Sequence, residues 1–121
     1  MVITMDFNEI KEWYVAVLQK YVEFNGRARR KEFWIFTLVN FAISVVLAIL
    51  GLDFISTLFG LAVLLPGIGV AIRRLHDIGK TGWWLLIGFV PLVGLIVLIY
   101  FYVQEGDSGS NEYGANPKTA V

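Results

Sequence analysis

The chain of 121 residues has no cysteine, a single histidine and few charged side chains. Without cysteine, disulfides and thiol catalysis are excluded. With His76 alone, a protein metal site built from several histidine or cysteine ligands is excluded as well. Charged residues make up only 17% of the chain and hydrophobic residues 57%, whereas a soluble domain of this size needs more charge on its surface. The ten basic and ten acidic residues balance, so net charge indicates no partner.

Three long runs contain no charged side chain, and they lie at residues 33–52, 54–72 and 83–103. Each has about the 20 residues that a helix needs to cross ~30 Å of hydrocarbon. Lipid offers no hydrogen-bond partners to the backbone, so a segment that crosses it must satisfy its own backbone hydrogen bonds, as a helix does. Three such runs leave too few polar residues to enclose a soluble core. We therefore predict an all-α membrane protein with three transmembrane helices, forming a single membrane domain over residues 1–121.

The segment before the first run, residues 5–24, has the pattern of an amphipathic helix. Its apolar residues recur at helical spacing: Ile10, Trp13, Tyr14, Val17, Leu18 and Tyr21. Such a helix lies either in the membrane interface or against the cytoplasmic ends of the bundle, and the sequence leaves both open. The polar tail, residues 104–121, is rich in glycine, serine and asparagine and is predicted to form turns and coil.

The basic residues predict how the helices are oriented in the membrane. Nine of the ten flank the predicted spans on one face. They are Lys11, Lys20, Arg27, Arg29, Arg30, Lys31, Arg73, Arg74 and Lys80. Because basic residues concentrate on the cytoplasmic side, we expect the N-terminus to be cytoplasmic. With three crossings, the C-terminus is then expected on the external side.

Two prolines interrupt the predicted spans. Pro66 and Pro91 are both flanked by glycines and lie roughly 9–12 Å from the predicted cytoplasmic face. Paired broken helices at one depth occur in transporter sites. Closer helix packing through small residues is the interpretation that we favour here.

Three stretches together carry a family resemblance. They are FNGRARRKEFWIF at 24–36, RRLHDIGKTGWW at 73–84 and GSNEYGANP at 109–117. In this order they resemble the bacterial membrane family called domain of unknown function 805. The resemblance implies a small multi-pass protein of the bacterial inner membrane. It implies no reaction.

A basic cluster at the predicted cytoplasmic face is the candidate functional site. Its arginines and lysines are each worth ~1 kcal/mol toward an anionic membrane surface, and arginine binds phosphate through two hydrogen bonds. We predict that the cluster binds anionic lipid or a partner protein. Its members are Arg27, Arg29, Arg30, Lys31, Arg73, Arg74, His76, Asp77 and Lys80.

A structural interpretation of the same residues competes with binding. Arg73 and Arg74 would stabilise the negative end of the second predicted helix and set its orientation. Gly79 would end that helix, and Thr81 would cap the next one. Asp77 would pair with a neighbouring arginine. The two interpretations do not exclude each other.

The function predicted from these observations is a non-enzymatic one, the binding of lipid or protein at the inner membrane. The alternatives are a subunit of an oligomeric transporter or channel and a holin-like pore. We expect no catalytic residue, metal or cofactor and no nucleic-acid partner. Membrane lipids with anionic headgroups are the expected partners, together with a membrane protein or further copies of the chain.

Overall fold

A computed structural model describes residues 6–117. These residues form four α-helices and one 3₁₀ helix, and they contain no strand, so the all-helical prediction is confirmed. Met5 and residues 118–121, which we assigned to the first helix and the tail, lie outside the described range. The elements are α1 (Phe7–Gln19), α2 (Arg30–Ile49), α3 (Asp53–Asp77), the 3₁₀ helix (Gly82–Phe89) and α4 (Val93–Val103).

Two helices, α2 and α3, are long and apolar enough to cross a membrane. Their 20 and 25 residues correspond to ~30 and ~37 Å at 1.5 Å per residue. A tight turn joins them, in which Gly51 has a φ of +71° and its N–H donates to the Ala48 carbonyl. Glycine suits this position because other residues adopt positive φ at a cost. The first two predicted spans are therefore helical, and α3 continues to Asp77, beyond the predicted end at residue 72.

The third apolar run is not one helix, and the prediction of a single continuous helix over residues 83–103 is wrong. Pro91 has no N–H to donate and disfavours helix at the residue before it, while Leu92 has a φ of +65°. The 8-residue 3₁₀ helix spans ~16 Å at about 2.0 Å per residue. The 11 residues of α4 span ~16 Å as well. Each arm is about half as long as the ~30 Å hydrocarbon core is thick. Pro66, by contrast, lies within the unbroken α3.

The two arms form a hairpin, residues 82–103, that returns to the end where it began. The Trp84 and Phe101 rings are in edge-to-face contact at 5.3 Å. At the end of α4, the Tyr102 carbonyl accepts hydrogen bonds from Trp34 Nε1 at 3.0 Å and from Arg74 Nε at 3.2 Å. Those partners lie at the start of α2 and the end of α3. The tail therefore leaves α4 at the same end of the molecule as the connector before the hairpin, whereas the sequence predicts the two on opposite faces of the membrane.

The first helix packs across this end of the molecule. Glu9 is paired with Lys31, and at the other end of α1 Lys20 Nζ lies 4.0 Å from Glu32 Oε2. The hydrogen bond from Lys31 lowers the pKa of the Glu9 carboxyl. The Tyr14 hydroxyl donates to Asn40 Oδ1 at 2.6 Å. Burial raises the pKa of that hydroxyl, which favours its protonated, donating form.

The inner face of α1 is packed rather than free. Val17 is fully buried, and the Tyr14 ring stacks on Phe36 with centroids 5.1 Å apart. Of the two placements left open by the sequence, the structure shows packing of α1 against the other helices, along the first half of α2.

We predict that Gly94→Ala destabilises the protein, because the hairpin needs a glycine at its closest approach. The Gly94 N–H donates to the Val90 carbonyl at 2.9 Å, and an added Cβ would overlap the Ile87 carbonyl. Overpacking of this kind costs about 1–3 kcal/mol. The free energy of unfolding, measured by denaturant titration in mixed micelles, should fall by that amount. The matched control is Gly60→Ala, where the added Cβ meets nothing within 4 Å. Equal stability of the two variants would contradict the hairpin.

Candidate functional site

Six charged or polar side chains are buried at the end of the molecule where the tail lies. They are Arg27, Glu32, Arg73, Arg74, His76 and Asp77, and each is between 0 and 7% exposed. Four of them belong to the last turns of α3, the part of the helix that extends beyond the predicted span. Burying a charge is costly unless it is paired and hydrogen-bonded, so the partners of each group decide the local structure.

The Asp77 carboxylate is shared by two arginines. Arg27 Nε donates to Oδ1 at 2.9 Å, and Arg74 Nη1 donates to Oδ2 at 2.9 Å. The side chains of all three residues are at most 3% exposed. Because two guanidinium groups face one carboxylate, the remaining N–H groups need other acceptors.

The tail supplies those acceptors through its backbone. Arg27 donates to the carbonyls of Gly109 at 2.7 Å, Gly114 at 3.1 Å and Asp107 at 2.7 Å. Arg74 donates to the carbonyl of Gln104. We call residues 104–114, held in this way, the clasped tail.

The clasped tail lies directly on the ion network. The Asp107 N–H donates to the Asp77 carbonyl at 2.7 Å. A Cβ added at Gly106 would overlap the Asp77 carboxylate, so only glycine allows this approach. The tail is therefore part of the folded domain, although its composition predicts only turns and coil.

A second ion pair fastens the helices to one another. Arg73 Nη1 donates to Glu32 Oε2, and Arg73 Nε donates to the Glu23 carbonyl at 3.2 Å. The Arg73 carbonyl accepts from the Ala28 N–H at 2.8 Å. Arg73 thus connects α3 with the start of α2 and with the segment that follows α1.

His76 connects the segment before α2 with the tail. Its Nδ1 lies 2.8 Å from the Gly26 carbonyl, and its ring is stacked on Tyr113 with centroids 3.9 Å apart. The Asn111 side-chain amide donates to the His76 carbonyl at 2.9 Å. Because a carbonyl only accepts, Nδ1 carries the hydrogen, and Nε2 is an acceptor in the neutral ring.

The four other predicted residues form a half-exposed rim around the buried network. Arg30 lies 3.8 Å from Glu105, and Lys31 is paired with Glu9. The remaining two cations lie over aromatic rings and have no carboxylate partner among the described residues. The Arg29 guanidinium is 5.4 Å from the centroid of Trp13, and Lys80 Nζ is 5.9 Å from that of Trp84.

All nine predicted site residues therefore lie at one end of the molecule, but in two environments. Arg27, Arg73, Arg74, His76 and Asp77 are buried. Arg29, Arg30, Lys31 and Lys80 form the rim. Residues 6–117 contain no group of three or more His, Cys, Asp or Glu side chains able to hold a metal ion.

Sequence reasoning named Asp77 as the partner of a neighbouring arginine, as observed for Arg74, but missed the other acceptors of the site. Glu32 was visible as the acidic residue in the EFW stretch, and a search for partners of the buried arginines would have found it. The carbonyls of Asp107, Gly109 and Gly114 carry no side-chain signal, because every residue has a carbonyl.

Comparison with known proteins identifies relatives along almost the whole chain. The family model described as Protein of unknown function (DUF805) matches residues 21–115. The chain is 51% identical over 113 residues to inner membrane protein YhaI of Escherichia coli K12, covering 88% of this chain and 96% of that protein. It is 41% identical over 117 residues to inner membrane protein YhaH of the same organism, covering 88% and 97%. No solved structure matches.

We predict that Asp77→Asn destabilises the protein strongly. The neutral amide leaves the Arg27 and Arg74 charges uncompensated and turns a donor toward one of them. Removing one partner of a buried ion pair costs about 3–5 kcal/mol. The free energy of unfolding should fall by that amount, and protease cleavage in the tail should become faster. Asp107→Asn removes an exposed carboxylate instead and should change stability by no more than about 0.5 kcal/mol. Similar losses in both variants would show that the buried network is not the main constraint.

Proposed function

Because the chain belongs to the DUF805 family and is similar to proteins named inner membrane proteins YhaI and YhaH, we propose that it binds anionic lipid headgroups at the inner membrane and catalyses no reaction. In this proposal α2 and α3 cross the bilayer. The hairpin of residues 82–103 enters from the cytoplasmic side and returns to it.

The proposed topology has both termini in the cytoplasm. It is supported by the ion pairs that hold α1 at the same end as the clasped tail. Nine of the ten basic residues belong to the segments at this end, and such an excess is typical of cytoplasmic segments. The arms of the hairpin are too short to cross ~30 Å of hydrocarbon, which also supports a return to the same side.

The observation that carries the proposed function is the position of the two rim cations without carboxylate partners. Arg29 lies over Trp13 and Lys80 lies over Trp84, at distances of 5.4 and 5.9 Å. Tryptophan concentrates at the membrane–water interface, where its ring sits at the level of the headgroups. A cation held there is well placed for a lipid phosphate and contributes ~1 kcal/mol of attraction.

Arg73 and Arg74 are poorly suited to the headgroup role that the sequence suggested for them. They are 1% and 0% exposed, and they donate mainly to Glu32, Asp77 and backbone carbonyls. The proposed headgroup contacts are therefore those of the rim.

We predict that a reporter fused after Val121 is on the cytoplasmic side. A green fluorescent protein fusion there should be fluorescent, and an alkaline phosphatase fusion should be inactive. The matched control is a phosphatase fusion after Leu52, which follows α2 alone and should be active. High phosphatase activity at Val121 would contradict the re-entrant hairpin in the membrane.

We further predict that the double variant Arg29→Gln, Lys80→Gln retains less anionic lipid. Loss of two interfacial cations should weaken binding of phosphatidylglycerol about tenfold or more, and binding of phosphatidylcholine should not change. Native mass spectrometry of the purified protein, titrated with each lipid, measures both. Lys11→Gln removes an exposed charge outside the rim and serves as the control. If the double variant and the wild type bind phosphatidylglycerol equally while both insert normally, the proposed function is wrong.

A further inference from the structure

A cavity of about 540 Å³ lies between α3, the segment before α2 and the start of the hairpin. Pockets for small molecules occupy ~300–1,000 Å³, so this volume suits a ligand. No arginine, lysine, aspartate or glutamate lines it. The cavity therefore includes no member of an ion pair and no rim cation, although the buried His76 lines it.

The lining of the cavity combines polar and apolar side chains. Its polar side chains are those of Asn25, His76, Thr81 and Tyr113, and His76 is hydrogen-bonded to the Gly26 carbonyl and stacked on Tyr113. Ile72 lies one turn before His76 on α3, and Leu85 lies further along the hairpin. A lining of both kinds suits an amphiphile with one polar end and one apolar chain.

The mouth of the cavity is bordered by side chains that suit lipid. Trp83 is 78% exposed and Leu86 is 54% exposed, and both line the cavity. They belong to GWWLLIGF, which contains no charged residue. In the proposed membrane placement an apolar ligand would enter from the bilayer.

The His76 ring in the lining favours a ligand with an uncharged hydrogen-bond donor. His76 Nδ1 is committed to the Gly26 carbonyl, and Nε2 has no hydrogen-bond partner among residues 6–117. In the neutral ring Nε2 accepts, and no charged side chain lines the cavity to compensate an ionic head.

We propose that this cavity binds a neutral single-chain lipid of the monoacylglycerol or long-chain alcohol class. A hydroxyl of the lipid donates to His76 Nε2, and its chain lies against Ile72 and Leu85. The site goes beyond the binding of anionic headgroups at the rim, because it uses different residues and the opposite ligand chemistry.

Fluorescence quenching tests where the hydrocarbon chain of the ligand lies. The full-length protein in detergent micelles is titrated with a monoacylglycerol that carries bromine on its chain, which quenches nearby tryptophan. Quenching should saturate, and Trp83→Phe should remove most of the saturable signal. Trp13→Phe removes a tryptophan from α1, outside the cavity, and should keep that signal. If Trp83→Phe leaves the saturable quenching intact, the proposal is overturned.

A pair of matched competitors tests whether the polar head of the ligand donates a hydrogen bond to His76. Hexadecanol and its methyl ether have the same chain, but only the alcohol donates a hydrogen bond. The wild type should bind the alcohol about fivefold more tightly than the ether, since one hydrogen bond distinguishes them. In His76→Asn the amide nitrogen still donates toward the Gly26 carbonyl while the Nε2 acceptor is lost. This variant should bind both competitors equally, and a preference that persists in it would overturn the role of His76.

Leu85→Phe tests the site without altering His76. The larger ring reduces the space for the chain, so affinity for the brominated probe should fall at least about fivefold while the thermal unfolding temperature is maintained. A brominated phosphatidylcholine is the probe for ordinary lipid contact. If it quenches Trp83 as tightly as the monoacylglycerol does, and equally in Leu85→Phe, the cavity is only a lipid-facing surface and the proposal fails.

Discussion

The Asp77 carboxylate is the group on which the arrangement of this end of the molecule depends. It accepts from Arg27, which precedes α2, and from Arg74, which lies on its own helix, so one side chain joins two segments. Two guanidinium groups around one carboxylate leave buried N–H groups that water does not reach. Backbone carbonyls of residues 104–114 satisfy several of them. The need for these acceptors explains why a polar tail folds against the helix ends.

The return of the tail constrains the third apolar run. In the proposed membrane placement, a chain that leaves this end of the helices and comes back to it cannot cross the bilayer an odd number of times. The break at Pro91 and Leu92 divides the run into two arms of equal length, ~16 Å each. Gly94 lets the arms approach where a side chain would collide. The hairpin and the ion network thus depend on each other, since each requires the chain to return to the same end of the helices.

The basic residues divide by environment into two roles. The buried arginines hold segments together, and their hydrogen bonds are directed inward. The rim cations over Trp13 and Trp84 are only partly buried, which leaves them the surface that the proposed headgroup binding needs. This division gives the binding and structural interpretations of the cluster different residues, so they no longer compete for the same ones. His76 belongs to the buried group through Nδ1, and its Nε2 is left for the adjoining cavity.

Local composition was sufficient for α1, α2 and α3 and for the gathering of basic residues at one end. Length, apolarity and periodicity are properties of neighbouring residues, and they favour a helix regardless of where the segment lies in the fold. The path of the third run could not be predicted in this way, because proline at position 91 is compatible both with one kinked helix and with two separate helices. The choice depends on where residues 104–114 are bound, and their carbonyls are common to every sequence. Burial of Arg27, Arg73 and Arg74 likewise depends on partners distant in the chain, such as Glu32 for Arg73, which only the folded arrangement brings within hydrogen-bond distance.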